Sequence, residues 1–192
     1  MIRNTFFKIL LSVLLFTHLA AGPARAAEVR PVARIGFDFG GDNLITVPFT
    51  DGTSDSIRAN EGFSIGGGAL FVTGLPNVEA EVTLSYKFTS VNARNGDVIW
   101  TRFPVDALAF YRFPHFRLGG GLTYHLSPTL DGSGAASNIN AKFDDALGFV
   151  LQADYLWTPR YTLGARYTSV TYKTGGVSFS GKGLGTTIGF VF

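Results

Sequence analysis

Leu184-Gly-Thr-Thr-Ile-Gly-Phe-Val-Phe192 alternates without a break. Leu184, Thr186, Ile188, Phe190 and Phe192 fall on one side, and Gly185, Thr187, Gly189 and Val191 on the other. A pleated strand sends two such sets to opposite faces. No charge follows, and the chain stops on an aromatic ring. A strand that closes a barrel in lipid can anchor such a ring at the membrane interface. The stretch therefore sets an expectation of location that the rest of the chain must meet.

Working outward from that strand, the same period of two recurs. The clearest case is Val78 to Phe88, where Val78, Ala80, Val82, Leu84, Tyr86 and Phe88 are apolar and Glu79, Glu81, Thr83, Ser85 and Lys87 are polar. Eleven residues at about 3.3 Å each reach roughly 36 Å, and a tilt of about 40° leaves roughly 28 Å of height, enough for an apolar band of about 25 Å. Further strands are predicted at Val32–Phe39, with an irregular continuation through Leu44 to Phe49, and at Gly62–Val72, Ile99–Tyr111, Phe116–Ser127, Ala146–Tyr155 and from Tyr161 on. Around Ser169 the apolar parity slips, which predicts a β-bulge. Polar loops are expected at Thr50–Asn60, Ser90–Asp97 and Pro128–Asn140, and short turns at Gly74–Asn77, Phe113–His115 and Trp157–Arg160. The last connection, after Thr174-Gly-Gly176, is short, or longer if Val177–Lys182 belongs to it.

The chain has 192 residues with 24 Gly and 18 Phe, the material of one domain. It has no Cys, hence no disulfide framework, no Cys metal site and no lipoprotein anchor. Residues 1–26 read as a secretory signal: Arg3 and Lys8 are followed by an apolar run from Ile9 to Phe16 and an Ala24-Arg25-Ala26 cleavage site. The domain left is 27–192. Three of the 16 basic residues go with the signal, leaving 13 against 14 acidic, so the formal +2 charge is no argument for nucleic acid.

Eight alternating strands also suit a soluble sandwich or lipocalin-like barrel. Three features favour lipid. Long and short connections alternate, as in outer-membrane barrels. The non-apolar face carries Arg34, Asp38, Glu79, Glu81, Lys87, Arg102, Asp106, Arg112, Arg117, Asp154 and Arg166, too charged for a soluble core. Aromatic residues gather at both strand ends, which lipid interfaces favour. Phe113, Phe116, Tyr155, Trp157, Tyr161 and Phe192 mark one end, and Tyr86, Phe88, Trp100, Phe103, Tyr124, Tyr167 and Tyr172 the other. The predicted fold is all-β: an eight-stranded antiparallel up-and-down transmembrane β-barrel.

On the signal, the strand and loop rhythm and the Ile188-Gly-Phe190-Val-Phe192 terminus, residues 29–192 resemble the small eight-stranded outer-membrane barrels of Gram-negative bacteria, the OmpX/OmpW-like group. The resemblance implies a cell outer-membrane location with both termini periplasmic. It implies outer-membrane lipid and lipopolysaccharide as surroundings. It also implies that Ile188, Phe190 and Phe192 form an assembly signal read by the barrel-assembly machinery.

An eight-stranded interior is just wide enough for side chains to fill, so the inward charges are expected to pair and plug the lumen, Arg117 with Asp154 and Arg112 with Glu81. The expected function is a non-enzymatic outer-membrane protein with a structural or surface-interaction role. The alternative is a porin-like channel or transporter for small solutes, hydrophobic ones included. A third reading is a lipid A-modifying hydrolase. It rests on His125-Leu-Ser127, which resembles the His-x-Ser of lipid A deacylase barrels, with Asp131, Asp144 or Asp145 as the acid. Alternation points His125 and Ser127 into the lumen, away from lipid. No cofactor or metal is expected. The Gly66–Gly68 and Gly119–Gly121 runs precede no helix and are not phosphate loops.

Overall fold

The computed structural model describes residues 28–48, 52–93 and 96–192. The expected signal, 1–26, lies outside the described residues, as do Thr50 and Asp51. In chain order the strands are β1 (Glu28–Gly40), β2 (Asn43–Pro48), β3 (Ser54–Arg58), β4 (Gly62–Val72), β5 (Val78–Ala93) and β6 (Gly96–Arg112). They continue with β7 (Phe116–Gly132), β8 (Asn140–Lys142), β9 (Ala146–Leu156), β10 (Tyr161–Thr174), β11 (Val177–Ser180) and β12 (Gly183–Val191).

Eight of these close a ring. β1, β4, β5, β6, β7, β9, β10 and β12 each pair antiparallel with the next, and β12 returns to β1 through nine residue pairs from Val32–Val191 to Gly40–Gly183. Closure leaves no strand edge in the ring, the condition hydrocarbon imposes. Among the described residues no helix is long and apolar enough to cross a membrane.

The faces follow the period of two. Outward stand Leu84, Leu122, Leu151, Leu163 and Ile188, each half exposed or more. An apolar band of that breadth around a closed ring suits acyl chains and not water. Rings gather at its two rims. At the end with the short turns, Phe113 lies 5.0 Å from Tyr111 and 4.4 Å from Phe116, and Phe190 lies 4.9 Å from Tyr161 and 4.7 Å from Phe192. Towards the other end, Tyr86 lies 5.4 Å from Phe88 and 5.3 Å from Phe103.

The structure corrects the sequence reading in four places. The irregular continuation after Phe39 is a separate strand: β2 pairs with β3 as a hairpin outside the ring. Of the polar stretch Ser90–Asp97, the described residues 90–93 and 96–97 are ladder, not loop, because β5 runs to Ala93 and β6 starts at Gly96. β6 and β7 reach 17 residues against nine in β12. Seventeen residues at about 3.4 Å, tilted by about 40°, rise roughly 44 Å, well beyond an apolar band of about 25 Å.

The bulge predicted at Ser169 is absent, since the β9–β10 register continues unbroken to Val170–Gly148. A register shift falls instead between β6 and β7, and there Ser127 takes φ 47°. Finally, Trp100 and Tyr172 leave the outer belt: both are fully buried inside. They have the parity of Arg102 and Thr168, and the tall interior above the band takes rings as readily as charges.

Candidate functional site

The barrel interior is built in layers, and neighbouring strands supply each of them. Nearest the short turns, Val32, Leu70 and Val191 form a small apolar floor. Above it lies an ion-pair network. Arg117 of β7 is its hub, because it faces Asp154 of β9 directly across the ladder. Its Nη2 donates to Glu81 Oε2 at 2.8 Å, its Nε to Asp154 Oδ2 at 2.9 Å and its Nη1 to Glu79 Oε2 at 3.1 Å. Its guanidinium also stacks 4.0 Å above the Phe110 ring.

Arg34 of β1 forks onto Glu81, with Nη2 to Oε2 at 2.7 Å, and its Nη2 lies 3.4 Å from Asp154. Arg112 pairs with Glu79 at 2.7 Å, not with Glu81 as expected; β6 ends there, so its side chain reaches the nearer carboxylate at the rim. The expected Arg117–Asp154 contact is present. Gln152 bridges to Asp154 Oδ1 at 2.8 Å. Glycines make the room. A Cβ on Gly119 would collide with the Phe110 ring, and one on Gly189 would stand 2.8 Å from Arg34 Nη1.

The next layer is a tetrad. Lys87 Nζ meets Asp38 Oδ2 at 2.7 Å, Arg166 Nη2 meets Asp106 Oδ2 at 3.0 Å, and Arg166 Nε lies 4.0 Å from Asp38 Oδ1. A cavity of about 10 Å³ remains beside it, edged by Ser64, Ser85, His125 and Thr168. That is room for about one water molecule.

Above the tetrad the chemistry changes. Arg102 is fully buried and has no carboxylate partner among the described residues. It donates instead to the Glu61 carbonyl at 2.6 Å and sits 5.1 Å from the Trp100 ring centre. Trp100, Phe143 and Tyr172 pack edge-on at 4.9 and 5.3 Å, and with Ile57, Val91, Val98, Leu130 and Val170 they form an apolar cap inside the tall end. The β2–β3 hairpin is tied down onto it through Trp100 Nε1 donating to Ala59 O at 3.2 Å.

Of the eleven charges read as inward, ten are buried or nearly so and Arg112 is partly exposed at the rim. Parity missed the apolar interior partners, Leu70, Leu108, Phe110 and Val150, because a search for polar faces passes over them. Trp100 and Tyr172 carried a usable signal, the parity of their charged neighbours.

His125 and Ser127 do not meet. His125 is buried, with Nδ1 2.6 Å from the Tyr172 hydroxyl. The bulge turns Ser127 out to the surface, where its amide donates to Asp145 Oδ1 at 2.8 Å. Asp145 therefore holds a backbone turn, with Tyr124 Oη at 3.4 Å.

A closed ring of eight antiparallel strands, apolar outside and charged within, is the fold of the small outer-membrane β-barrels. Solved structures of that class match it. The Neisserial surface protein A structure superposes with TM-score 0.50 at 17% identity, covering 88% of this chain and all of that one. Ail, the attachment invasion locus protein of Yersinia pestis, solved with the heparin analogue sucrose octasulfate, gives TM-score 0.52 at 13% identity, covering 86% of this chain and 99% of that one. No family model and no curated protein matches the chain.

Proposed function

We propose that this chain is a non-enzymatic outer-membrane protein whose lumen is plugged and which acts through its wall and its loop-end surface. The observation that carries the proposal is the filled interior. Apolar floor, ion-pair network, tetrad and apolar cap follow one another along the barrel, and the cavity beside Lys87 and Arg166 measures only about 10 Å³. A conduit needs continuous water. A cap of packed rings stands across its path at the tall end.

The start of β1 and the end of β12 lie together at the short-turn end, where Phe192 N donates to Pro31 O at 3.0 Å. Long loops outside and short turns inside is the habit of these barrels, so the proposed orientation has both termini periplasmic. In this reading residues 1–26 are removed on export. Ile188, Phe190 and Phe192, in the strand that closes the ring against β1, are what the barrel-assembly machinery reads.

Planar-bilayer recording on the refolded barrel tests the plug. The expected result is a baseline without unitary steps, beside a porin control that conducts. Steady ion-selective openings would refute it and leave the channel alternative standing.

A further inference from the structure

We propose that the interior closes around a bound anion: one chloride-sized monovalent ion sits in the cavity beside Lys87 and Arg166 and offsets the charge of Arg102. This rests on the plugged lumen proposed above.

The interior charges do not cancel. In the lower network Arg34, Arg112 and Arg117 match Glu79, Glu81 and Asp154. The layer above sets three cations, Lys87, Arg102 and Arg166, against two acids, Asp38 and Asp106. Lys87 stands directly opposite Arg102 across the β5–β6 ladder, and both are buried. Like charges that face each other across a ladder destabilise it, and a buried charge without a counter-charge is costly. Glu61 does not supply the balance. Its main-chain carbonyl takes Arg102 Nη2 at 2.6 Å, while its carboxylate accepts from Arg58 N at 3.3 Å. The Trp100 ring beside Arg102 carries no net charge.

Donor groups are also left over. Arg102 Nε and Nη1, Arg166 Nε and Thr168 Oγ1 are buried and make no hydrogen bond among the described residues. Arg166 and Thr168 edge the cavity, together with Lys87, His125, Ser64 and Ser85. All of these can donate. Asp38 and Asp106 edge it too, but both are already paired: Asp38 Oδ2 meets Lys87 at 2.7 Å and Asp106 Oδ2 meets Arg166 at 3.0 Å. The other Asp38 oxygen lies against Gly185 of β12, where an added Cβ would collide with it.

Size and sealing select the ion. The cavity measures about 10 Å³, room for about one particle of the size of water. Chloride is only slightly larger than water, whereas carboxylates and phosphates are too bulky. A metal cation would add to the excess, and a water molecule would leave it in place. The ion-pair network lies below the site and the cap of rings above it. The ion is therefore enclosed as the barrel closes and released when it unfolds.

The test is urea unfolding of the barrel in lipid vesicles, with chloride exchanged for gluconate at constant total salt. Over about a hundredfold range of chloride the unfolding equilibrium constant should fall by up to that factor, with a log–log slope of about −1, since unfolding releases one ion. Arg102→Met removes the excess charge and should bring the slope to about zero. Thr168→Val removes one donor and should raise the half-saturating chloride concentration about tenfold, a shift of some 1.4 kcal/mol. Arg30→Gln, at the short-turn end, should keep the native slope. Should Arg102→Met fail to fold, crystals of the native barrel refolded in bromide give the answer, with an anomalous peak expected between Lys87 and Arg166.

A zero slope in the native barrel makes the occupant a water and overturns the inference. A slope that persists in Arg102→Met makes the effect general screening and overturns it too, as does bromide found only on the outer surface. Bilayer recording separates the two levels. Steady currents end the plugged-lumen reading and this inference with it; a silent barrel without chloride dependence ends this inference alone.

Discussion

Replacing Arg117 by Met keeps the bulk of the side chain and removes the hub of the interior. Arg117 touches three carboxylates, Glu79, Glu81 and Asp154, at 2.8 to 3.1 Å. Arg34, Arg112 and Arg117 balance those three acids, so the variant leaves one buried negative charge in excess. Breaking a buried ion pair on one side destabilises by about 3–5 kcal/mol. The lower end is expected here, because each acid keeps one other partner: Arg34 on Glu81 and Asp154, Arg112 on Glu79.

Adding Asp154→Asn restores the charge balance. The double variant should then be less destabilised than the two singles combined, by about 1–3 kcal/mol. Urea titration of the four proteins folded into lipid vesicles, followed by tryptophan fluorescence, gives the cycle. Arg112→Gln is the internal comparison and should cost below about 1 kcal/mol, since that pair is partly exposed at the rim. Strict additivity of Arg117→Met and Asp154→Asn would refute the claim that these charges act as one network.

Leu84→Arg puts a charge on the lipid face, where Leu84 is 53% exposed, and should destabilise by about 2–4 kcal/mol; Thr83→Lys, buried inside opposite Asp106, should be milder, and equal urea midpoints in lipid would contradict the facing. Gly119→Val drives a side chain into Phe110 and should abolish heat-modifiable migration on gels, while Gly74→Ala, in open space, should leave it intact. Trp100→Ala empties the apolar cap and should cost about 3–5 kcal/mol, with faster amide exchange in the β2–β3 hairpin it anchors; unchanged exchange would argue against the cap. Ser127→Ala should leave the lipid A profile of cells the same by mass spectrometry, and a changed profile would revive the hydrolase reading.

What could be read from the chain alone was facing and closure. A period of two assigns each residue of Val78–Phe88 to a side without knowledge of any neighbour, and eight such stretches with polar punctuation suffice to close a sheet. The lipid-facing apolar row and the row of interior charges both follow from that local rule. Where the rule was read by residue type rather than by parity it misled. Val170 and Tyr172 keep the inward parity of Thr168, and their apolar character suggested a bulge that the β9–β10 ladder lacks.

Tertiary structure alone decided who pairs with whom. Arg34 reaches Glu81 and Asp154, residues 47 and 120 positions away, because ring closure brings β1 within reach of side chains from β5 and β9. The bulge at Ser127 belongs to the same class: an extra residue shows only when a ladder has a partner strand to count against. It separates Ser127 from His125, which two residues of sequence cannot reveal. The change from charges to rings inside the tall end likewise depends on how far β6 and β7 rise above β12. Alternation assigns a side chain to a face, but strand stagger and the space left by glycine decide what it meets there.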